Sequence, residues 1–142
     1  MAVTHDHPRY ALHPLNAIFL AATIPLFLGA LLADVAYWKT YDIQWTNFAS
    51  WLLAGGLVFC ALAVIAALVA LFRAPRRGGR VLFYFLLVLG AWVVGLLSAF
   101  HHARDAWAAM PTGLVLTLVA VVLACAAKWI AFAGLLRTGG TP

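Results

Sequence analysis

Two apolar stretches, Phe48–Phe72 and Val81–Phe100, contain no charged residue, and four arginines stand between them: Arg73, Arg76, Arg77 and Arg80. Two further stretches repeat the pattern, Leu15–Ala33 and Gly113–Ala127. About 20 apolar residues in a helix cross the ~30 Å hydrocarbon core of a bilayer. No water is present there to satisfy backbone N–H and C=O groups, so such segments must bond internally as helices. The chain therefore reads as an all-α membrane protein. Four transmembrane helices packed as an up-down bundle are expected, over about 15–35, 48–72, 81–100 and 113–136.

Composition supports this reading. Of 142 residues, 66% are hydrophobic and 9% charged, where a soluble domain carries about 25% charged. One four-span domain over 15–136, with polar tails at 1–14 and 137–142, accounts for the length. The first span is read as retained, because Ala33-Asp34-Val35-Ala36 puts an aspartate where signal cleavage requires a small neutral residue. The formal charge of +5 does not signal nucleic-acid binding, since six of the nine basic residues lie at span ends or in the central loop.

Those basic residues set an orientation. With the amino terminus in the cytoplasm, Arg9, the four loop arginines and Arg137 lie inside, and only Lys39 and Arg104 lie outside. Positive residues favour the cytoplasmic side, so both termini are expected there, in the inner membrane of a bacterium. Tyr37, Trp38, Tyr41, Trp45, Trp51 and Trp107 gather at the outer boundary, and Tyr10, Tyr84 and Trp129 toward the inner one, as an aromatic belt. Pro25 interrupts span 1, where neighbouring helices can satisfy the freed carbonyl. Small residues recur every four positions, as in Gly29/Ala33, Gly56/Cys60, Ala91/Gly95/Ala99 and Ala120/Ala124. They let backbones approach closely, within one bundle or between copies in a homo-oligomer.

Polar residues inside spans are the default functional candidates. His13 and Asn16 fall at the cytoplasmic end of span 1, and Asp34 lies about 30 Å away at the outer face. Lys128 falls in the inner half of span 4, too far from Asp34 for an ion pair. It is expected to snorkel to the headgroups, or else to donate to His13, Asn16 or Tyr84. The spans otherwise show one lysine and no buried carboxylate, which argues against an ion path. Cys60 and Cys125 read as packing residues rather than a redox pair. His5, His7 and His13 lack the companions for a metal set, so no metal is expected.

The outer rim is richer. Asp34, Lys39, Asp42, Asn47, His101, His102, Arg104 and Asp105 sit among Trp38, Trp45 and Trp107. This rim reads either as an interfacial cap with local ion pairs or as a docking surface. It also offers His101 and His102 to a quinone headgroup or a haem. A haem b held by two histidines needs both at one depth, which His13 and His101 or His102 of one chain cannot supply. No nucleophile–base–orienter trio is visible, so no catalysis is expected.

Several short motifs resemble a known family. His13-Pro14 opens span 1 and Ala33-Asp34-Val35-Ala36-Tyr37-Trp38 closes it. Trp45 precedes Ala49-Ser50-Trp51-Leu52-Leu53-Ala54-Gly55-Gly56, and Ser98, Arg104-Asp105 and Pro111-Thr112-Gly113-Leu114 follow. Across roughly 12–130 the chain is similar to the bacterial membrane proteins grouped as domain of unknown function family 2231. The resemblance implies a four-helix inner-membrane domain of unestablished activity, sometimes joined to or found beside redox modules. His13, Asp34, Arg104 and Asp105 match the family pattern. This chain departs from it in span 3, where relatives often carry a histidine and only Tyr84 is polar in the first half. It departs again in Trp129-Ile130-Ala131-Phe132-Ala133-Gly134, where relatives end in a tryptophan and paired glycines.

The expected role is an accessory or anchoring subunit, embedded in the lipid bilayer, for a membrane or periplasmic redox partner. The alternative is a quinone- or haem-handling electron carrier that uses the His101/His102 rim.

Overall fold

The computed structural model describes residues 14–73, 79–104 and 106–138. Within them the chain forms α1 (Pro14–Thr40), α2 (Ile43–Arg73), α3 (Gly79–His102), the short α4 (Ala106–Ala109) and α5 (Thr112–Thr138). No strand occurs among these residues. Four helices are long and apolar enough to cross a membrane: Leu15–Thr40, Ile43–Arg73, Gly79–His102 and Thr112–Ala133. The protein is an all-helical, multi-pass membrane protein.

The helices outrun the spans expected from hydropathy. The loop expected between Tyr37 and Thr46 contracts to Tyr41 and Asp42. Tyr41 adopts φ 53°, the left-handed conformation that ends a helix, and its N–H returns to the Tyr37 carbonyl at 2.8 Å. Asp42 then caps α2, its carboxylate accepting the Gln44 N–H at 3.1 Å. Hydropathy misses this because polar residues at headgroup depth remain helical.

Each long helix packs along two others: α1 on α2 and α5, and α3 on α2 and α5. Nearly all buried positions follow one rule on these helices. They fall at 16, 20, 23, 27, 30, 34 and 37 on α1, with Ala33 beside this stripe, and at 46, 49, 53, 56, 60, 63 and 67 on α2. On α3 they fall at 84, 88, 91, 95, 98 and 102, and on α5 at 113, 117, 120, 124 and 127, with Val121 beside this stripe. Alternating steps of three and four keep one stripe inward, as in left-handed coiled coils. The small residues singled out in the sequence largely occupy these stripes, including Gly56, Cys60, Ala91, Gly95, Ala120 and Ala124.

At mid-bundle the Phe27 ring is wedged between two glycines. A Cβ on Gly56 would lie 2.5 Å from Phe27 Cδ1, and one on Gly95 would lie 2.9 Å from Cζ. Glycine is required at both positions because the ring fills the space that a side chain would take. Leu53, Val88 and Cys60 are fully buried in the same core, and the Cys60 thiol donates to the Val88 carbonyl at 3.8 Å. Cys125, expected to pack inside, instead lies exposed on α5, and both thiols are free.

Candidate functional site

Two polar connections cross the bundle from α1 to α3. Near the arginine end, which carries Arg73 and Arg80, Tyr84 donates to Asn16 Oδ1 at 3.1 Å. At the opposite end, where α1 turns into α2, His102 Nε2 meets Asp34 Oδ1 at 2.7 Å. Both pairs are separated by 68 residues, and so are Phe27 and Gly95, which meet between them. One constant separation means that α1 and α3 pair like end with like end and do not slip in register.

The turn-end site is a network. Asp34 is fully buried, and His102 nearly so. His102 Nδ1 points at the Ser98 carbonyl at 2.8 Å. Ser98 Oγ lies 2.8 Å from Thr117 Oγ1 and 3.2 Å from the Gly113 carbonyl, and the Thr117 hydroxyl reaches that same carbonyl at 3.0 Å. Gly113 makes room for the imidazole, since a Cβ there would stand 3.0 Å from His102 Cε1. Three helices are thereby tied at one level: α1 through Asp34, α3 through Ser98 and His102, α5 through Gly113 and Thr117.

The partners fix the proton count. The Ser98 carbonyl can only accept, so Nδ1 carries a hydrogen. The 2.7 Å contact between Nε2 and Oδ1 needs another. Imidazolium with carboxylate, or neutral imidazole with carboxylic acid, both satisfy this, and either way the pair is neutral overall. Neutrality is what allows an aspartate to lie in an apolar bundle.

Serine, histidine and aspartate thus come together, although no such trio is visible along the chain. They are not wired as a catalytic triad. A base must offer a lone pair to the serine hydroxyl, whereas Nδ1 donates to the Ser98 backbone carbonyl and stands 3.5 Å from Oγ. Ser98 is itself fully buried. The arrangement holds helices and does not activate a nucleophile.

The other expected site residues separate. Asp34 is no part of an exposed rim, and it supplies the buried carboxylate that the spans were expected to lack. Its partner is His102, because the two lie on facing stripes at one level. His102 has both ring nitrogens engaged and can ligate an iron or a quinone only by giving up one of those bonds. His101, partly exposed, donates Nδ1 to the Leu97 carbonyl at 3.1 Å, which leaves Nε2 as its acceptor. Arg104 is exposed. Lys128 takes neither Asn16 nor Tyr84, which bond to each other, and its Nζ lies 5.8 Å from the centre of the Phe132 ring. His13 and Asp105 lie outside the described residues, as do His5, His7, Arg9, Arg76 and Arg77.

Two buried polar atoms among the described residues lack a hydrogen-bond partner, Asp34 Oδ2 and Thr46 Oγ1. Both belong to the turn end. Ser98 and Thr117 entered no expected site, yet the signal for them was in the sequence. Ala91, Gly95, Ser98 and His102 follow the alternating step, and so do Gly113, Thr117, Ala120 and Ala124.

Residues 11–132 match the family described as "Predicted membrane protein (DUF2231)". The chain belongs to this family. The DUF2231 match takes in α1 to α4 and most of α5, both polar connections and the Phe27 wedge. No curated protein and no solved structure matches the chain.

Proposed function

We propose that this DUF2231 protein is a bacterial inner-membrane subunit without catalysis of its own, which anchors or assists a membrane or periplasmic redox partner. Its helices would form an up-down bundle with both termini cytoplasmic, so that the turn end faces the periplasm. The distribution of positive residues supports this orientation, and the like-end pairing of α1 with α3 supports the topology.

One observation carries the reading. The turn end joins a sealed internal network to an exposed aromatic surface of Trp38 on α1, Tyr41 in the turn, and Trp45 and Trp51 on α2. The network anchors the end of α1 that carries Trp38 and leads through the Tyr41 turn into α2, and firmly held aromatics are suited to docking. A substrate, by contrast, would have to displace His102 to reach the buried serine.

The test is purification from native membranes in mild detergent, followed by an ultraviolet–visible spectrum. The expected result is a colourless chain that co-purifies with a redox protein, and Trp38→Ala with Trp45→Ala should release that protein. A chromophore, bound quinone or turnover in the isolated chain would contradict the proposal. It would favour the electron-carrier reading, for which His101 Nε2 is the available ligand atom.

A further inference from the structure

Ile24, Cys125, Lys128, Trp129 and Phe132 line a groove of about 380 Å³ on the outside of the bundle, between α1 and α5. Its composition is uneven. Ile24 and Cys125 are apolar and lie toward mid-bundle, Trp129 and Phe132 are aromatic, and Lys128 is the only charged residue of the span Thr112–Ala133. Lysine at a membrane helix position is costly unless its ammonium reaches a headgroup or a counter-charge. Described acidic residues supply none here, because Asp34 is held by His102 and Asp42 caps α2 in the turn.

The level of Lys128 is set by a cross-helix contact. The Arg80 guanidinium at the start of α3 donates to the Ile130 carbonyl of α5 at 3.1 Å. Lys128 is two residues from that carbonyl, about 3 Å along the axis. Its Nζ therefore lies toward the arginine end, over the Phe132 ring, within snorkelling reach of the headgroups. Below it the groove continues along apolar side chains toward the bilayer centre. A cation within reach of the headgroups, above an apolar channel, complements one kind of molecule, an anionic headgroup on an acyl chain.

We propose that this groove is a binding site for an anionic phospholipid, its phosphate on Lys128 and its acyl chain along Ile24 and Cys125. Trp129, among the most exposed side chains of the protein at 78%, flanks the phosphate level as interfacial tryptophans do. Nothing in this assignment depends on the docking surface at the other end, or on which leaflet is cytoplasmic.

The experiment is native mass spectrometry of the detergent-purified chain with phosphatidylglycerol or phosphatidylcholine added. Lys128→Ala and Lys128→Arg are measured beside it, and far-ultraviolet circular dichroism confirms that each is folded. The expected result is preferential retention of phosphatidylglycerol by the wild-type chain and by Lys128→Arg. The alanine variant should lose about fivefold in that preference, the effect of one basic residue near an anionic headgroup. Trp129 fluorescence, taken as the difference from Trp129→Phe, should be quenched more by brominated-chain phosphatidylglycerol than by brominated phosphatidylcholine. Equal retention of the two lipids, an unaltered preference in Lys128→Ala, or displacement of the lipid by excess inorganic phosphate would overturn the proposal.

Discussion

The two ends of the bundle solve one problem at different cost. At the arginine end, a single neutral hydrogen bond, Tyr84 to Asn16, joins α1 to α3. At the turn end the same helices, at the same separation of 68 residues, are joined by an aspartate–histidine pair. A serine, a threonine and a glycine carbonyl extend it to α5. The richer end also holds both orphaned polar atoms, Asp34 Oδ2 and Thr46 Oγ1. Buried polar groups without partners are rare in folded proteins. Their concentration there sets the turn end apart from the arginine end, where the buried Asn16 and Tyr84 satisfy each other.

The largest expected effect breaks this comparison at its strong side. His102→Ala strands a carboxyl among apolar side chains and should cost about 3–5 kcal/mol, as for other half-removed buried pairs. Adding Asp34→Leu should recover most of that loss, because an apolar replacement of both partners is close to neutral. Thermal unfolding in detergent reads both changes. If the single variant matched wild type, the network would hold no helices.

Gly56→Ala tests the layer between the ends. The new methyl meets the Phe27 ring, which Gly95 confines from the other side, so overpacking should cost about 1–3 kcal/mol. Combining it with Phe27→Leu should relieve the clash, and the same melts would show this. Tyr84→Phe probes the arginine end. Interhelical hydrogen bonds in membranes average about 0.6 kcal/mol, so a loss of that order is expected. A loss equal to that of His102→Ala would erase the difference between the ends. The smallest effect belongs to the turn itself: Asp42→Ala removes an exposed cap worth about 0.5 kcal/mol. It should raise amide hydrogen exchange at Gln44 before it moves the melting temperature.

Much of the fold was readable along the chain. Charge-free stretches of bilayer length become the four long helices, and the small-residue repeats become their inward stripes. Depth, however, is only one coordinate. Counting residues along the axis put Asp34 and His102 at one level but did not say which way each faced, so both were placed on the rim. In a soluble protein apolarity would have marked the inward face. In lipid the outward face is equally apolar, and small and polar residues mark the inside instead. Read by that rule, Asn16, Asp34, Tyr84, Ser98, His102 and Thr117 all fall on the alternating stripes, and the network becomes legible. What stays hidden in the sequence is the wiring: that Nδ1 donates to a backbone carbonyl, which turns a Ser–His–Asp set from a possible triad into a clamp.

The most direct test is a pair of double-mutant cycles for stability, Asp34→Ala with His102→Ala and Asn16→Ala with Tyr84→Phe. A clamp at the turn end predicts a coupling of about 1–3 kcal/mol there, against about 0.6 kcal/mol at the arginine end. Additive losses at Asp34 and His102, or equal couplings at the two ends, would contradict it.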